Sequence, residues 1–336
     1  MFTIAIDMMG SDNGPAALAE GIKRYLKEKP DTKVLLFGDK AELKPLFADV
    51  EKSRYEIEPT DTVIPMEIKP LEFLRARTSS MYQAILAVKE GKADGVLTAG
   101  STGGFVTGAT ILLRNIEGVD RAALCTPFPT KKLNVPAVVL DVGANNYNTA
   151  EEVYQFALMG RIYHQAVFGS ENPSLYLLSN GTEEGKGTEE VVGAYKLLKE
   201  NKVPGFKGNV EARDALDGTH DILVTPGYAG NIFLKATEGM GKNMNDLIKE
   251  AFKHNFFTKI GYLFAHKGFA KMKETMNYRQ YGGAILLGIN GLAVKAHGNS
   301  DPLAFYCALK VVDRMIEKQV VKKVKEAFAS ASENHD

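Results

Sequence analysis

Residues 95–104 read Gly-Val-Leu-Thr-Ala-Gly-Ser-Thr-Gly-Gly, a short apolar run followed by small and hydroxyl-bearing residues. The run is continuous rather than alternating, which favours a strand buried on both faces of a parallel sheet. Similar runs predict strands at 3–6, 34–37, 95–98, 137–140, 175–178 and 222–225. Helical patterns occur between them, at 16–29, 79–90, 103–115, 150–167, 188–199 and 230–253. This alternation predicts an α/β fold built from βαβ units, with a mostly parallel sheet.

Five of the predicted strands end in loops rich in Gly, Asn, Ser and Thr. These loops cover residues 7–15, 99–104, 141–146, 179–187 and 226–231. Ligands of open α/β sheets bind beyond the carboxyl ends of the strands, so we expect the loops to converge on one crevice. Small residues let backbone N–H groups approach a ligand, and helix N-termini add partial positive charge. The loops therefore predict binding of phosphate or another anion.

The composition excludes several classes of protein. The chain has 336 residues, of which 45% are hydrophobic, and its 41 Lys and Arg balance its 41 Asp and Glu. This apolar content argues against disorder, and the lack of a basic footprint argues against a nucleic-acid partner. Two cysteines cannot form a disulfide framework, which fits a reducing compartment. Since neither a signal peptide nor an apolar span is recognised, we expect a cytoplasmic location.

The loop at 181–188 fails the test for a nucleotide-binding P-loop. The offset from Gly181 to Gly185 is four positions rather than five, and Gly187 stands where Ser or Thr should follow Lys186. Lys186 is either a phosphate contact or a solvated loop lysine. No dinucleotide fingerprint, His-Glu-x-x-His or Cys-x-x-Cys occurs, so neither a nucleotide cofactor nor a metal is predicted. His297 is either a structural histidine or a further candidate for the anion site.

Residues 255–273 carry five aromatic rings among four lysines, with no acidic residue. Such a segment can lie on a membrane surface or bind an acidic partner, and a helix hairpin in a dimer interface or core is an equal alternative. We expect a helical hairpin at about 242–279 and a C-terminal helix at about 301–329, within one large domain of residues 1–336.

The zero net charge is an average over opposed regions. Residues 242–279 hold eight bases against three acids, whereas residues 141–190 hold eight acids against two bases.

Several short motifs occur in an order that is specific as a set. They are Leu-Asp-Val-Gly-Ala-Asn at 140–145, Asn-Gly-Thr-Glu-Glu at 180–184 with Lys-Gly at 186–187, Gly-Asn-Val-Glu-Ala-Arg-Asp at 208–214, Gly-Asn at 230–231 with Leu-Lys at 234–235, Tyr-Gly-Gly-Ala at 281–284 and Ala-His-Gly at 296–298. In this order they resemble the PlsX family of phosphate acyltransferases, over nearly the whole chain. The resemblance implies a three-layer α/β/α fold, similar to phosphotransacetylases and isopropylmalate-type dehydrogenases, and a homodimer.

The resemblance also implies a reaction, in which a long-chain acyl group passes from acyl-acyl carrier protein to inorganic phosphate. The acyl phosphate then serves a membrane glycerol-3-phosphate acyltransferase, and no metal or nucleotide cofactor takes part. Phosphate is partly dianionic at neutral pH, so the site has to place it against the thioester carbonyl and to supply donors for the oxyanion. We expect Lys186 and Asn231 to be catalytic. The residues expected to bind substrate are Asp7, Gly10, Ser101, Thr102, Asn145, Gly181 and His297.

The basic aromatic segment matches the hydrophobic helical tip of the family, which implies peripheral contact with an anionic membrane through Phe256, Phe257, Leu263 and Phe264. Acyl carrier protein is acidic, so basic side chains near the cleft are expected to dock it. The chain departs from the family pattern at Ser11, Ser101, Thr188 and Pro226. Two alternatives therefore stay open. One is a phosphotransacetylase-like enzyme that acts on short acyl-CoA, and the other is a catalytically degenerate scaffold that binds carrier protein or membrane.

Overall fold

The computed structural model describes residues 1–65, 67–275 and 281–332. Its strands are β1 Phe2–Asp7, β2 Thr32–Gly38, β3 Tyr55–Pro59, β4 Gly95–Thr98, β5 Ala123–Phe128, β6 Ala137–Leu140, β7 Leu175–Ser179, β8 Phe206–Glu211, β9 Ile222–Val224, β10 Ala284–Leu287 and β11 Ala293–Lys295. Its helices are α1 Gly14–Glu28, α2 Lys40–Leu46, α3 Pro70–Arg75, α4 Ser80–Lys89, α5 Thr102–Leu113, α6 Ala150–Phe168, α7 Glu189–Glu200, α8 Gly227–Lys253, α9 Phe256–Thr275, α10 Pro302–Glu317 and α11 Val320–Ser332. All six predicted strands are present, and their ends differ from the prediction by at most two residues.

The chain divides into two compact units. Unit 1 comprises Met1–Thr126, Arg161–Glu171 and Arg279–Asp336, and unit 2 comprises Pro127–Gly160 and Asn172–Tyr278. The single large domain of residues 1–336 stays a prediction.

Unit 1 contains strands in the order β3-β2-β1-β4-β11-β10, followed by residues 123–126 of β5. The first five of these are parallel, and β10 is antiparallel to both of its neighbours. Helix α1 packs against α10, and α4 packs against α5 and the inner strands. The carboxyl ends of β1, β4 and β11 lie side by side, because Thr98 is the register partner of both Asp7 and Lys295.

Unit 2 contains four parallel strands in the order β6-β9-β7-β8. The apolar runs of β6 and β9 are completely buried, as continuous hydrophobic strands of a parallel sheet should be. Three of the predicted anion-binding loops, 141–146, 179–187 and 226–231, follow the carboxyl ends of β6, β7 and β9. The α/β fold with a mostly parallel sheet and flanking helices is therefore confirmed.

Five strands, β3, β5, β8, β10 and β11, were not predicted from the sequence. Four of them are short or polar; for example, β8 reads Phe-Lys-Gly-Asn-Val-Glu, and β11 has three residues. The fifth, β5, reads Ala-Leu-Cys-Thr-Pro-Phe, and a proline inside a run argues against a strand. Pairing with neighbouring strands, rather than their own hydrophobic pattern, defines them. The predicted C-terminal helix at 301–329 is instead two helices, α10 and α11. Gln319, between them, has a φ of 52°, which is incompatible with continued right-handed helix.

Helices α8 and α9 pack against each other as a hairpin. The ring of Phe252 lies 5.3 Å from that of Tyr262 and 4.7 Å from that of Phe269, so an aromatic cluster joins the two helices. Asn255 and Thr258 exchange hydrogen bonds of 3.0 Å at the start of α9. Residues 276–279 of the predicted hairpin lie outside the described residues. Among the helices that the structure describes, none has both the length and the apolar character needed to cross a bilayer.

Candidate functional site

Asp7 ends β1 and lies beneath two loops of unit 1. It is buried, with 1% of its surface exposed. Its Oδ1 accepts hydrogen bonds from the Met9 N–H at 3.1 Å and from Ser80 Oγ at 2.6 Å. Its Oδ2 accepts a hydrogen bond from Thr98 Oγ1 at 2.7 Å. The sequence predicts that this carboxylate binds substrate. In the structure it accepts hydrogen bonds from protein groups, which connect the end of β1 to β4 and to the start of α4.

Gly10 brings the loop after β1 against the loop after β4. A Cβ on Gly10 would lie 2.5 Å from the Cα of Gly100 and 3.4 Å from Oδ2 of Asp7. Real Cβ atoms do not approach a backbone atom so closely, so this contact requires glycine. Two of the predicted anion-binding loops therefore meet within unit 1.

Ser101 and Thr102 lie at the start of α5 in different surroundings. Ser101 is 1% exposed, and its Oγ accepts a hydrogen bond from the Gly104 N–H at 3.2 Å, which caps the helix. Thr102 is exposed on the first turn. Thr102 is therefore accessible at the start of the helix, whereas Ser101 stabilises the turn.

The loop after β11 is hydrogen-bonded to the loop after β1. The carbonyl oxygen of Gly298 accepts from the Asp12 N–H at 2.9 Å and from Ser11 Oγ at 3.2 Å. The Asn13 amide donates to the carbonyl oxygen of Asn299 at 2.9 Å. These bonds bring His297, an exposed residue of this loop, to the edge of the sheet where Gly10 lies.

Lys295 is a buried cation at the same edge, and the sequence alone did not single it out. It is 8% exposed, and its Nζ donates to the carbonyl oxygen of Ala296 at 2.8 Å. A lysine at the end of a short apolar strand has no distinctive sequence pattern. Its place beside Thr98 follows from strand pairing.

Asp141 organises the loop after β6 in unit 2. It is completely buried. Its Oδ1 accepts hydrogen bonds from the N–H groups of Gly143 at 3.0 Å and Ala144 at 2.9 Å. Its Oδ2 accepts from the backbone N–H of Asn145 at 3.0 Å and from its side-chain Nδ2 at 2.8 Å. The amide nitrogen of Asn145, a predicted substrate ligand, is thus engaged by this carboxylate.

The start of α8 lies against the same loop. A Cβ on Gly227 would overlap Oδ2 of Asp141, and a Cβ on Gly230 would overlap the carbonyl oxygen of Asp141. Pro226 precedes the helix and has no capping side chain, but Oδ1 of Asn148 accepts from the Gly227 N–H at 3.0 Å. Asn231, the fifth residue of α8, is exposed.

Lys186 lies in the loop after β7, where it is exposed. Its stem packs on Gly181, since a Cβ on Gly181 would lie 2.8 Å from Cγ of Lys186. Nδ2 of Asn209 donates to the carbonyl oxygens of Glu183 at 2.8 Å and of Lys186 at 3.4 Å. Asn209, which is 6% exposed, therefore fixes the backbone that carries Lys186.

The structure thus distributes the predicted site residues between the two units. Unit 1 groups Asp7, Gly10, Ser101, Thr102 and His297, and unit 2 holds Asn145, Gly181, Lys186 and Asn231. Among the described residues, no group of three or more His, Cys, Asp or Glu is arranged to hold a metal ion.

Comparison with known proteins identifies the family. Residues 2–323 match the family model described as fatty acid synthesis protein. The chain belongs to this family. It is 40% identical over 327 residues to a phosphate acyltransferase of an Exiguobacterium species, with 97% of this chain and 99% of that relative covered. It is 41% identical to a phosphate acyltransferase of Pseudothermotoga lettingae, with 96% of each chain covered. The predicted resemblance to the PlsX family is confirmed.

The fold of this family member is also found in solved structures of low sequence identity. A phosphotransacetylase from Streptococcus pyogenes superposes with a TM-score of 0.61 at 16% identity, covering 96% of this chain and 94% of that one. A branched-chain phosphotransacylase from Enterococcus faecalis gives a TM-score of 0.57 at 14% identity, covering 94% and 99%. The predicted likeness to phosphotransacetylase-like folds is therefore confirmed at the level of fold.

Proposed function

We propose that the chain transfers a long-chain acyl group from acyl carrier protein to inorganic phosphate. It is an acyltransferase of fatty acid and phospholipid synthesis, and phosphate is its acceptor. Near-full-length identity of about 40% to phosphate acyltransferases is the observation that carries this assignment. Acyl carrier protein as the donor, and the membrane glycerol-3-phosphate acyltransferase as the consumer of the acyl phosphate, are our proposals.

The geometry of unit 2 suits the chemistry of this transfer. Phosphate dianion is itself the nucleophile, so the enzyme has to place it and to stabilise the oxyanion that forms. Lys186 presents an ammonium group from a loop that Asn209 fixes. Asn231 presents a carboxamide at the N-terminal end of α8, where the helix dipole adds positive charge. We assign the phosphate contact to Lys186 and the contact with phosphate or oxyanion to Asn231.

The remaining predicted ligands divide by exposure. Thr102 and His297 are exposed, and we propose that they contact substrate. Asp7 and Ser101 are buried, and we propose that they act by shaping the loops around them. Gly10, Asn145 and Gly181 contribute the close packing and backbone geometry that these loops need.

Three of the four departures from the family pattern are accommodated in the structure, which favours an active enzyme over a degenerate scaffold. Ser11 ties its loop to Gly298, and Ser101 caps α5. Asn148 supplies the acceptor that Pro226 lacks at the start of α8. Thr188 precedes α7 without a side-chain capping bond, so nothing in the structure explains this fourth change.

The α8–α9 hairpin is our candidate surface for the membrane. Phe256, Phe257, Leu263 and Phe264 are 70%, 81%, 67% and 86% exposed. Lys267 and Lys271 follow Leu263 at four-residue spacing and continue the same helix face with positive charge. An apolar end beside basic residues fits peripheral binding to anionic lipid. The same exposed apolar surface would suit a second copy of the chain, and we propose a homodimer.

Competition between two thioester classes tests the donor. We expect the specificity constant kcat/KM to be higher for palmitoyl-acyl carrier protein than for acetyl-CoA at saturating phosphate. Because docking of an acidic carrier protein is electrostatic, that advantage should fall as salt rises from 50 to about 300 mM. A preference for acetyl-CoA that is insensitive to salt would instead support the phosphotransacetylase-like alternative.

A further inference from the structure

We propose that Asp141 is a positioning residue that holds Asn231 in place for acyl transfer. This inference rests on the proposed function, in which Asn231 contacts phosphate or the oxyanion. Asp141 is 0% exposed, so its carboxylate acts through the protein groups around it. Asp141 directly follows β6, and that position alone does not indicate that it positions Asn231.

The first step is the order that Asp141 imposes on its loop. Four donors from residues 143–145 converge on its two oxygens, at distances of 2.8–3.0 Å. Bonds between N–H donors and an ionised carboxylate are about twice as strong as neutral ones. The loop is therefore held in one geometry by a single buried group.

The second step is the contact between this loop and the helix that carries Asn231. Gly227 and Gly230 lie so close to Asp141 that neither has room for a Cβ. Gly143 has a φ of 125°, and a Cβ there would lie 3.2 Å from Cβ of Asn231 and 3.3 Å from its Oδ1. The Asn231 side chain thus packs on the loop that Asp141 shapes, and a shift of the loop displaces it.

Asp141→Asn keeps the size of the side chain but replaces one acceptor oxygen with an amino group. That group faces N–H donors, so the loop has to move to relieve the clash of donors. A misplacement of about 1 Å in a catalytic group lowers turnover by about 100-fold. We therefore expect kcat to fall about 100-fold, while the KM for phosphate, set by Lys186, changes much less.

A double-mutant cycle distinguishes positioning from a general structural role. By itself, Asp141→Asn should lower kcat about 100-fold. When Asn231→Ala is already present, adding Asp141→Asn should lower kcat less than about threefold. Asp221→Asn is the matched control. The Asp221 carboxylate lies at the opposite end of β9 and accepts hydrogen bonds from the N–H and Oγ of Ser174, each at 2.8 Å. Asp221→Asn should therefore change kcat by the same factor with and without Asn231→Ala. Equal losses for Asp141→Asn in the two backgrounds would overturn the proposal.

A readout without catalysis keeps the two proposals separate. The side-chain amide resonances of Asn231, assigned by their loss in Asn231→Ala, should move in Asp141→Asn and stay in place in Asp221→Asn. If the Asn231 side-chain resonances do not move in Asp141→Asn, the positioning role is contradicted, even if the enzyme is active. Failure of the proposed function is a different result: no phosphate-dependent transfer by the unsubstituted protein. If Asp141→Asn does not fold, Gly143→Ala tests the same contact, since its methyl group meets Asn231 directly.

Discussion

Gly230 lies in the first turn of α8, directly on the backbone of Asp141. A methyl group there would overlap the Asp141 carbonyl oxygen and lie 2.7 Å from Cγ2 of Thr225. We predict that Gly230→Ala lowers the free energy of unfolding by about 3 kcal/mol, measured by urea denaturation. Gly239→Ala in the same helix is the control, because a Cβ there meets nothing within 4 Å. It should stabilise by about 0.5 kcal/mol, and equal effects at the two glycines would contradict the packing described.

Lys186 should matter for turnover and hardly at all for stability. Its side chain is exposed, so Lys186→Met should leave the melting temperature within about 1 °C. Loss of the charge that we propose holds phosphate should lower kcat/KM for phosphate about 100-fold. Lys199→Met is the control, since it removes a nearby exposed ammonium that pairs with Glu184 at 2.7 Å. Matching losses of melting temperature and activity in Lys186→Met would mark Lys186 as structural.

The residues that could be singled out from sequence are those whose chemistry is local. Gly10, Ser101 and Asn231 stand in loops whose composition already indicates close backbone approach and helix starts. Asp141, Asn148 and Asn209 could not be assigned in this way. Their roles depend on partners far along the chain, such as the 79 residues that separate Asn148 from Gly227.

At the scale of elements, the hairpin of α8 and α9 gives the most direct prediction. Replacing Phe256, Phe257, Leu263 and Phe264 with Ser should abolish flotation with vesicles that contain anionic lipid. Each exposed aromatic or leucine side chain contributes about 1.5–3 kcal/mol when it leaves water, so losing four removes the binding energy. Tyr147→Ser is the control, because Tyr147 is 91% exposed but lies outside the hairpin.

The same variant separates the membrane from a second copy of the chain. Unchanged flotation would rule out the membrane assignment for these four side chains. Sedimentation of the variant then shows whether they hold a dimer together, since loss of the dimer with flotation intact would assign the hairpin to an interface between copies.

Elements with a strong pattern of their own could be predicted, and elements defined by their neighbours could not. The bounds of β4 and β6 agree with the prediction to the residue, because short continuous apolar segments next to Gly, Pro or Asp are distinctive. The short strands β10 and β11 arise from pairing with β5 and β4. The break between α10 and α11 depends on the left-handed conformation of Gln319, a residue type that carries no turn signal.

At the scale of the whole molecule, the neutral composition conceals opposed charges. The hairpin region 242–279 carries a balance of +5, whereas region 141–190 carries −6. The neutral composition argues against a protein that binds polyanions over its whole surface. It is compatible with a local basic surface that could contact an acidic carrier protein or an anionic membrane. The fold class could be predicted from the alternation of apolar runs and helical patterns, and the family from the order of the motifs. The two compact units could not be predicted, because they are defined by contacts between residues far apart in the chain.

The most direct test of the central claim is the phosphate dependence of thioester cleavage. Purified protein is mixed with palmitoyl-acyl carrier protein, and free carrier protein and acyl phosphate are measured with and without phosphate. We predict release of carrier protein only when phosphate is present, with one acyl phosphate formed for each carrier protein released. Release that is independent of phosphate, or no release at all, would contradict the assignment of the chain as an acyl-acyl carrier protein:phosphate acyltransferase.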